Sequence, residues 1–218
     1  MSTRIEKRCS VREPRTAPLF LGVVVLALVV AVPVAGAQKV EIIPMVGYQS
    51  GSTVEIRGGK LNFEGSQNIG IFVDLNIWTG AQLELLWTRQ DTKVTLSDSS
   101  GAHVADLFDA AIDYLQVGAQ LGAKKGRAFT FTCVGLGLSH FNPKGVDVAD
   151  SWKFSVSVGV GSEIYVTERL GMRIHGRLLP TFLSAGSDIF CDDERCYSKV
   201  ESGALLQWDV ALGLIIAI

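Results

Sequence analysis

Eight stretches of this chain alternate apolar and polar residues, and any fold must satisfy that period of two. The last of them, ALLQWDVALGLIIAI, places Leu206, Trp208, Val210, Leu212, Leu214, Ile216 and Ile218 on one face of a strand. Gln207, Asp209, Ala211 and Gly213 fall on the other, interrupted by Leu205 and Ile215. In SWKFSVSVGVGSEIYV, the face from Trp152 through Phe154, Val156, Val158 and Val160 opposes Lys153, Ser155, Ser157 and Glu163. NIGIFVDLNI sets Ile69, Ile71 and Val73 against Phe72 and Asp74, and ERLGMRIHGRLL sets Leu170, Met172 and Ile174 against Arg173, His175 and Arg177. KVEIIPMVGYQ, AQLELLWTRQ and DAAIDYLQVGAQLG follow the same rule. Pro44, in the first of these three, lacks a ladder donor and needs an edge, a bulge or a non-hydrogen-bonded position. RAFTFTCVGLG is ambiguous, because Phe129 and Phe131 share parity with Gly135 and Gly137.

A sheet with one continuous apolar face can hide it against a second sheet or in lipid. Two features favour lipid. Most of the segments can supply the roughly 9 to 11 residues that a tilted strand needs to cross a bilayer. Short links (WTG, AKKG, VTE) also alternate along the chain with long ones rich in Gly, Ser, Asn and Asp. Outer-membrane barrels sort their connections in this way, with short turns at one end and long loops at the other. An open sheet edge cannot face hydrocarbon, so the sheet must close. The expected fold is all-β: an eight-stranded antiparallel transmembrane β-barrel, an up-and-down meander preceded by a signal peptide. Trp78, Trp87, Trp152, Tyr165 and Trp208 are candidates for its aromatic girdles. GGKLNFEG, with Gly58 and Gly59, reads as a flexible external loop, since it lacks the Lys-Ser/Thr ending and the strand-to-helix setting of a phosphate loop.

The first forty residues set the compartment. Arg4, Lys7, Arg8, Arg12 and Arg15 precede the apolar run Leu19 to Val32, and PVAGAQ follows with Ala35 and Ala37. This is the pattern of a secretory signal peptide over 1–37, cut before Gln38 and leaving a single barrel domain over 38–218. Removing the leader takes away five basic and two acidic residues, so the formal charge moves from −2 to −5. A mildly acidic chain offers little to nucleic acid. Cys191 and Cys196 bracket the acidic DDER, and in an exported protein they are candidates for a disulfide. A metal site there is the weaker alternative, because no histidine or second cysteine pair is near in sequence. Cys133 reads as a lone buried residue.

The inward face of such a barrel would carry Glu41, Asp74, Glu84, Glu163, Arg173, His175, Arg177 and Asp209. Eight strands enclose room for side chains or one small ligand, and mixed charges imply a paired, plugged interior, since an isolated buried charge is costly. Arg173 and Arg177 are expected to meet Glu163, Asp209 or other inward acids. No catalytic constellation emerges from His103, His140 and His175, and no cofactor or metal is implied. Ser139 beside His140 is the single pair to suspect for an enzyme, and sequence adjacency does not aim a hydroxyl at an imidazole.

The chain also resembles the small outer-membrane β-barrel domain proteins of Gram-negative bacteria, in the general plan of OmpA and OmpX barrels, over about Val40 to Ile218. EIIPMVGYQSG is similar to the opening strand of that family, DYLQVGAQLG to its central strand and FTCVGLGLS to the glycine-rich strand that follows. Such proteins often end on Phe or Trp, whereas this chain ends on Ile218. The resemblance implies an outer-membrane location, with membrane lipids and the barrel-assembly machinery as partners and the long loops free to meet an envelope or extracellular partner. A structural or surface-interaction role is the expectation. The alternatives are a small-solute, porin-like pore, a lipid-modifying barrel enzyme and a soluble lipocalin-like binder.

Overall fold

The computed structural model describes residues 40–56, 59–98, 100–146, 149–183 and 203–218. The expected leader and the Cys191–Cys196 pair lie outside these residues. Among the described residues ten strands run in chain order: β1 (Val40–Gln49), β2 (Ser52–Ile56), β3 (Gly59–Phe63), β4 (Ser66–Trp78), β5 (Ala81–Ser97), β6 (His103–Lys125), β7 (Ala128–Lys144), β8 (Ser151–Tyr165), β9 (Leu170–Leu183) and β10 (Gly203–Ala217). Every pairing is antiparallel. Eight strands close a ring in the order β1, β4, β5, β6, β7, β8, β9, β10, with β10 returning to β1. Closure is completed at one rim by Ile218 N–H donating to the Val40 carbonyl at 2.9 Å.

The remaining two strands correct the sequence reading. From Gly59 onward the stretch expected to be a flexible loop is strand β3, which pairs with β2 and, through Lys60–Phe63, with Val94–Ser97 of β5. Leu61 and Phe63 are its alternating apolar residues, and both are buried against Val54, Val94, Ile112, Phe141 and Leu205. Five residues are too short a window for periodicity to register, but two buried side chains suffice to hold a hairpin onto a larger sheet. The link after β5 is likewise shorter than expected. β5 and β6 extend until only residues 98–102 remain between them, where the Asp98 carboxylate accepts from the Ser100 and Ala102 amides, each at 2.9 Å.

Short turns at the opposite end fit the expected tight links. Gly80 and Gly126 occupy positive φ there, 91° and 62°, which other residues adopt only with strain. The wall alternates as the period of two demands. Val134, Leu136, Val158, Ile174 and Leu212 stand half or more exposed on the outside, while the residues between them face inward. The ambiguous β7 is settled by its neighbours: Phe129, Phe131 and Cys133 point inward near the short turns. A Cβ on Gly161 would collide with the Phe131 ring, so glycine on β8 makes the space that the aromatic fills. Tyr165 departs from expectation. It lies in phase with Glu163, and its hydroxyl reaches into the lumen, so it contributes nothing to an outer girdle. Tyr48, whose ring is 6.0 Å from that of Trp208, takes such a place on the outer wall.

Two prolines interrupt ladders. The ladder between β1 and β10 skips from Ile42–Ile216 to Met45–Gly213, passing over Pro44, although Pro44 pairs with Ile71 of β4. Pro180 pairs with Leu206 of β10, whereas the ladder from β8 to β9 skips from Val158–Leu178 to Ser155–Thr181. Each missing N–H leaves one seam without its ladder bond.

The ion-paired lumen as candidate functional site

The inward residues of the ring form layers along the barrel axis. Nearest the short turns, the Tyr165 hydroxyl lies 2.8 Å from Glu163 and 2.8 Å from the nearer oxygen of Glu41, while Asn76 donates to Glu41 at 3.3 Å. This layer ties β8 to β1 and β4 across the mouth. Ile43, Met45, Phe72, Leu86, Ala211 and Ile215 pack around it as an apolar lining, which explains why Ile215 breaks the alternation of the last strand.

The middle layer contains the charges. Arg173 and Arg177 extend from β9 towards β5, the strand diametrically opposite in an eight-membered ring. Arg173 donates to Asp74 at 2.7 Å and to Glu84 at 2.6 Å, with Glu163 at 3.7 Å, and Arg177 donates to Glu84 at 2.6 Å. Gln120 donates to the same two acids at 2.9 and 2.8 Å. The Arg173 guanidinium lies between the rings of Phe72 and Phe131, 4.2 and 4.6 Å from their centroids, and that of Arg177 is 5.0 Å from Phe72. Aromatic faces attract a cation most strongly where water is excluded, and Arg173 is fully buried. His175 Nε2 stands 3.5 Å from Asp209, with its ring edge-on to Phe72.

Above the charges lies a neutral polar layer. Tyr114 of β6 donates to Gln207 of β10 at 2.8 Å, again across the full diameter, and contacts Thr181 at 3.2 Å. Gln49 donates to Gln207 at 3.0 Å, and Gln207 donates in turn to Gln90 at 2.9 Å. At the loop end the lumen becomes apolar: Leu61 and Phe63 of the hairpin meet Val94, Ile112, Phe141, Leu179, Leu183 and Leu205.

All eight residues chosen from the sequence as an interior cluster are buried here: Glu41, Asp74, Glu84, Glu163, Arg173, His175, Arg177 and Asp209. Arg173 meets Glu163 of the neighbouring strand at 3.7 Å, as expected, but its shorter contacts and that of Arg177 are made with inward acids of more distant strands. Asp209 sits beside Arg177 in register but approaches His175 and Asn68, and both arginines take Glu84 from across the lumen. The reason is reach: a long guanidinium stem spans half of a narrow barrel, while adjacent-strand side chains point in parallel. Sequence reasoning missed Phe72, Phe131, Gln120 and Tyr114. The inward parity of Phe72, Gln120 and Tyr114 was readable and that of Phe131 was not, and nothing in parity shows that an aromatic serves as a cation's partner.

Ser139 and His140 point to opposite sides of the wall. Ser139 is buried, with its hydroxyl on the Lys153 carbonyl, and His140 stacks on Trp152 outside with Asp150 at 2.7 Å. Cys133 is a buried free thiol. Among the described residues there is no cluster of three or more histidine, cysteine or acidic side chains placed to hold a metal.

The ring is closed and antiparallel, apolar outside and cross-linked by charged side chains inside. The fold of neisserial surface protein A is similar over 82% of this chain and 96% of that one, at 11% identity and a TM-score of 0.52. The N-terminal barrel domain of Pseudomonas aeruginosa OprF aligns over 83% of this chain and 97% of its own, at 12% identity and a TM-score of 0.46. At 11% identity the likeness to neisserial surface protein A is one of fold. No protein-family model and no curated protein sequence matches the chain.

Proposed function

We propose that this protein is an outer-membrane β-barrel with a structural or surface-interaction role, a closed lumen and no catalytic activity. The cross-lumen bridge from Arg173 and Arg177 to Glu84 is the observation that carries the reading. It lies between the Tyr165–Glu41 layer and the apolar cap of Leu61 and Phe63, so a solute would have to break three layers in turn. Opposite charges held at hydrogen-bond distance in a dry interior also resist opening, because parting them strands each without water. The girth of exposed valine, leucine and isoleucine on the outer wall supports a place in lipid, since soluble proteins rarely expose contiguous apolar surface on that scale.

On this reading the chain is exported by its leader, which is cleaved before Gln38, and both termini of the barrel's chain face the periplasm. The barrel-assembly machinery inserts it, Cys191 and Cys196 close a loop, and the loop end meets the environment or another envelope protein. Fractionation with a urea wash tests the location: release into the soluble fraction overturns it. Planar-bilayer recording tests the lumen. A silent bilayer after verified insertion is the expected result, and a steady, reproducible unitary current would establish the small-solute pore instead.

A further inference from the structure

The apolar outer wall is interrupted near the β6–β7 and β8–β9 turns. At a like distance from the short turns, other strands turn Leu83, Leu85, Met172, Ile174, Leu214 and Ile216 outward. β7 and β8 place Thr130, Thr132 and Ser162 in that phase instead. The three are neighbours. Thr130 pairs with Ser162 across the ladder, their hydroxyls 3.3 Å apart, and Thr132 donates to the Leu121 carbonyl at 3.3 Å. Thr130 and Ser162 carry two hydroxyl hydrogens and use one in their mutual bond, so the other remains to donate outward.

Cations gather just beyond these hydroxyls. Lys125 closes β6 opposite Ala128, one outward position nearer the turn than Ala123, which pairs with Thr130. Arg127 follows in the turn, and its Nη1 donates to the Val166 carbonyl at 3.3 Å, which sets the guanidinium beside the end of β8. Both side chains are exposed, and neither has an acidic partner among the described residues. At the loop rim, by contrast, the outward cations Arg89 and Lys144 are held by Asp91 and Asp113. Two residues of a tilted strand advance about 5 Å along the barrel axis, which separates the cation level from the hydroxyl level. In a glycerophospholipid the phosphate and the ester carbonyls follow one another in that order and at a similar spacing.

We propose that this patch of the outer wall binds the headgroup of an anionic glycerophospholipid from the leaflet at the short-turn end. Its phosphate lies against Lys125 and Arg127, its ester carbonyls accept from the Thr130–Ser162 pair, and its tails run over the exposed Leu121, Val134 and Val160. Two cations without a protein counter-charge favour a lipid of net negative charge, whereas a choline or ethanolamine head would bring its own cation against them.

The site rests on the membrane reading above, and the test separates the two. The full chain is inserted into phosphatidylcholine vesicles, insertion is verified by heat-modifiable gel migration, and the barrel is extracted in mild detergent for native mass spectrometry. Phosphatidylglycerol and phosphatidylcholine are then titrated against it. Expected is one phosphatidylglycerol adduct, formed at about ten-fold lower lipid concentration than the phosphatidylcholine adduct. Lys125→Gln combined with Arg127→Gln should weaken the phosphatidylglycerol adduct roughly ten- to thirty-fold and leave phosphatidylcholine unchanged. Thr130→Val combined with Ser162→Ala should weaken both lipids alike, because the ester carbonyls are common to them. Equal affinity for the two lipids, or unchanged phosphatidylglycerol binding in either double variant, would overturn the site and leave the barrel standing. Tighter binding of a phosphorylated glycolipid such as lipid A, lost in the same cation variant, would assign the patch to the opposite leaflet and overturn the proposal as stated. A chain that never inserts overturns the membrane reading itself. Should a variant fail to insert, the wild-type preference for phosphatidylglycerol and its loss in concentrated salt still decide.

Discussion

The two ends of the lumen solve the same packing problem with opposite chemistry. Towards the short turns, the ring is filled by ion pairs, aromatic rings and hydroxyls, each holding another in place. Towards the loops, it is filled by an apolar cluster to which the β2–β3 hairpin contributes Val54, Leu61 and Phe63. The difference lies in what each end requires of its partners. Removing one member of a charge network leaves the others buried without compensation, whereas removing one member of an apolar cluster loses its own contacts and leaves a cavity. The charged layer should therefore be brittle and the apolar layer more forgiving.

The largest effect should come from Arg173→Leu. It would strand Asp74, and in part Glu84 and Glu163, in a dry interior, and the loss is expected to be about 3–5 kcal/mol. Urea unfolding of the inserted barrel, followed by gel migration, measures it. Arg177→Leu should cost less, since Glu84 retains Arg173. Unchanged stability in both variants would mean that water reaches the layer and softens it. At the other end, Leu61→Ala should cost about 3 kcal/mol through the lost contacts and residual cavity. If it equals or exceeds Arg173→Leu by the same assay, the hairpin is the keystone and the contrast drawn above is reversed.

How much of each end was legible in the sequence follows from the length over which its signal runs. The ring strands carry alternation over 10 to 23 residues, and a one-residue slip would turn every one of their charges into lipid, so their phase could be read directly in all but β7, where Phe129 and Phe131 share parity with Gly135 and Gly137. The inward acids and arginines were identified by that phase alone. The hairpin has only five residues per strand, and its glycine-rich neighbourhood looks like any surface loop. Partner choice in the charged layer was not legible either. Which acid Arg177 meets depends on which strand lies across the ring, and that requires knowing the number and order of strands that close it. The gap at Pro180 is a mixed case: the sequence shows a proline on an alternating strand, but only the pairing shows which of its two neighbours loses the bond.

The wall supplies a smaller contrast, between adjacent residues of β8. Val156 belongs to the outward phase and Ser155 is fully buried inside. Val156→Arg should destabilise the inserted barrel by about 2 kcal/mol, as a cation placed against lipid does. Nitroxide labels at the two positions sharpen the comparison: the label at 156 should be quenched by a lipid-soluble relaxation agent and that at 155 should not. Equal accessibility would show that the phase of β8 is mistaken, and with it the inward placement of Ser157.

The smallest effect is expected above the apolar wall, where charges pair in the open. On β5 the outward residues change from Leu83, Leu85 and Trp87 to Arg89, Asp91 and Lys93. There the Lys144 ammonium donates to the Asp91 carboxylate at 2.7 Å, with Arg89 at 3.6 Å. The hydrogen bond from Lys144 is the main cause that holds the Asp91 carboxyl below its ordinary range. A depressed carboxylate stabilises the fold above its ordinary pKa of about 3.9 and ceases to do so as the pH falls through the lower folded value. Both partners are well exposed, so the pair should contribute less than about 1 kcal/mol. Lys144→Met should accordingly lower stability by that small amount at neutral pH, with the difference from wild type steady down to about pH 5 and fading on further acidification. Added salt should shrink it too, because exposed pairs are screened while the buried Arg173 layer is not. If salt weakens the Arg173→Leu effect as much as the Lys144→Met effect, the lumen is wet and its charges behave like those of the rim.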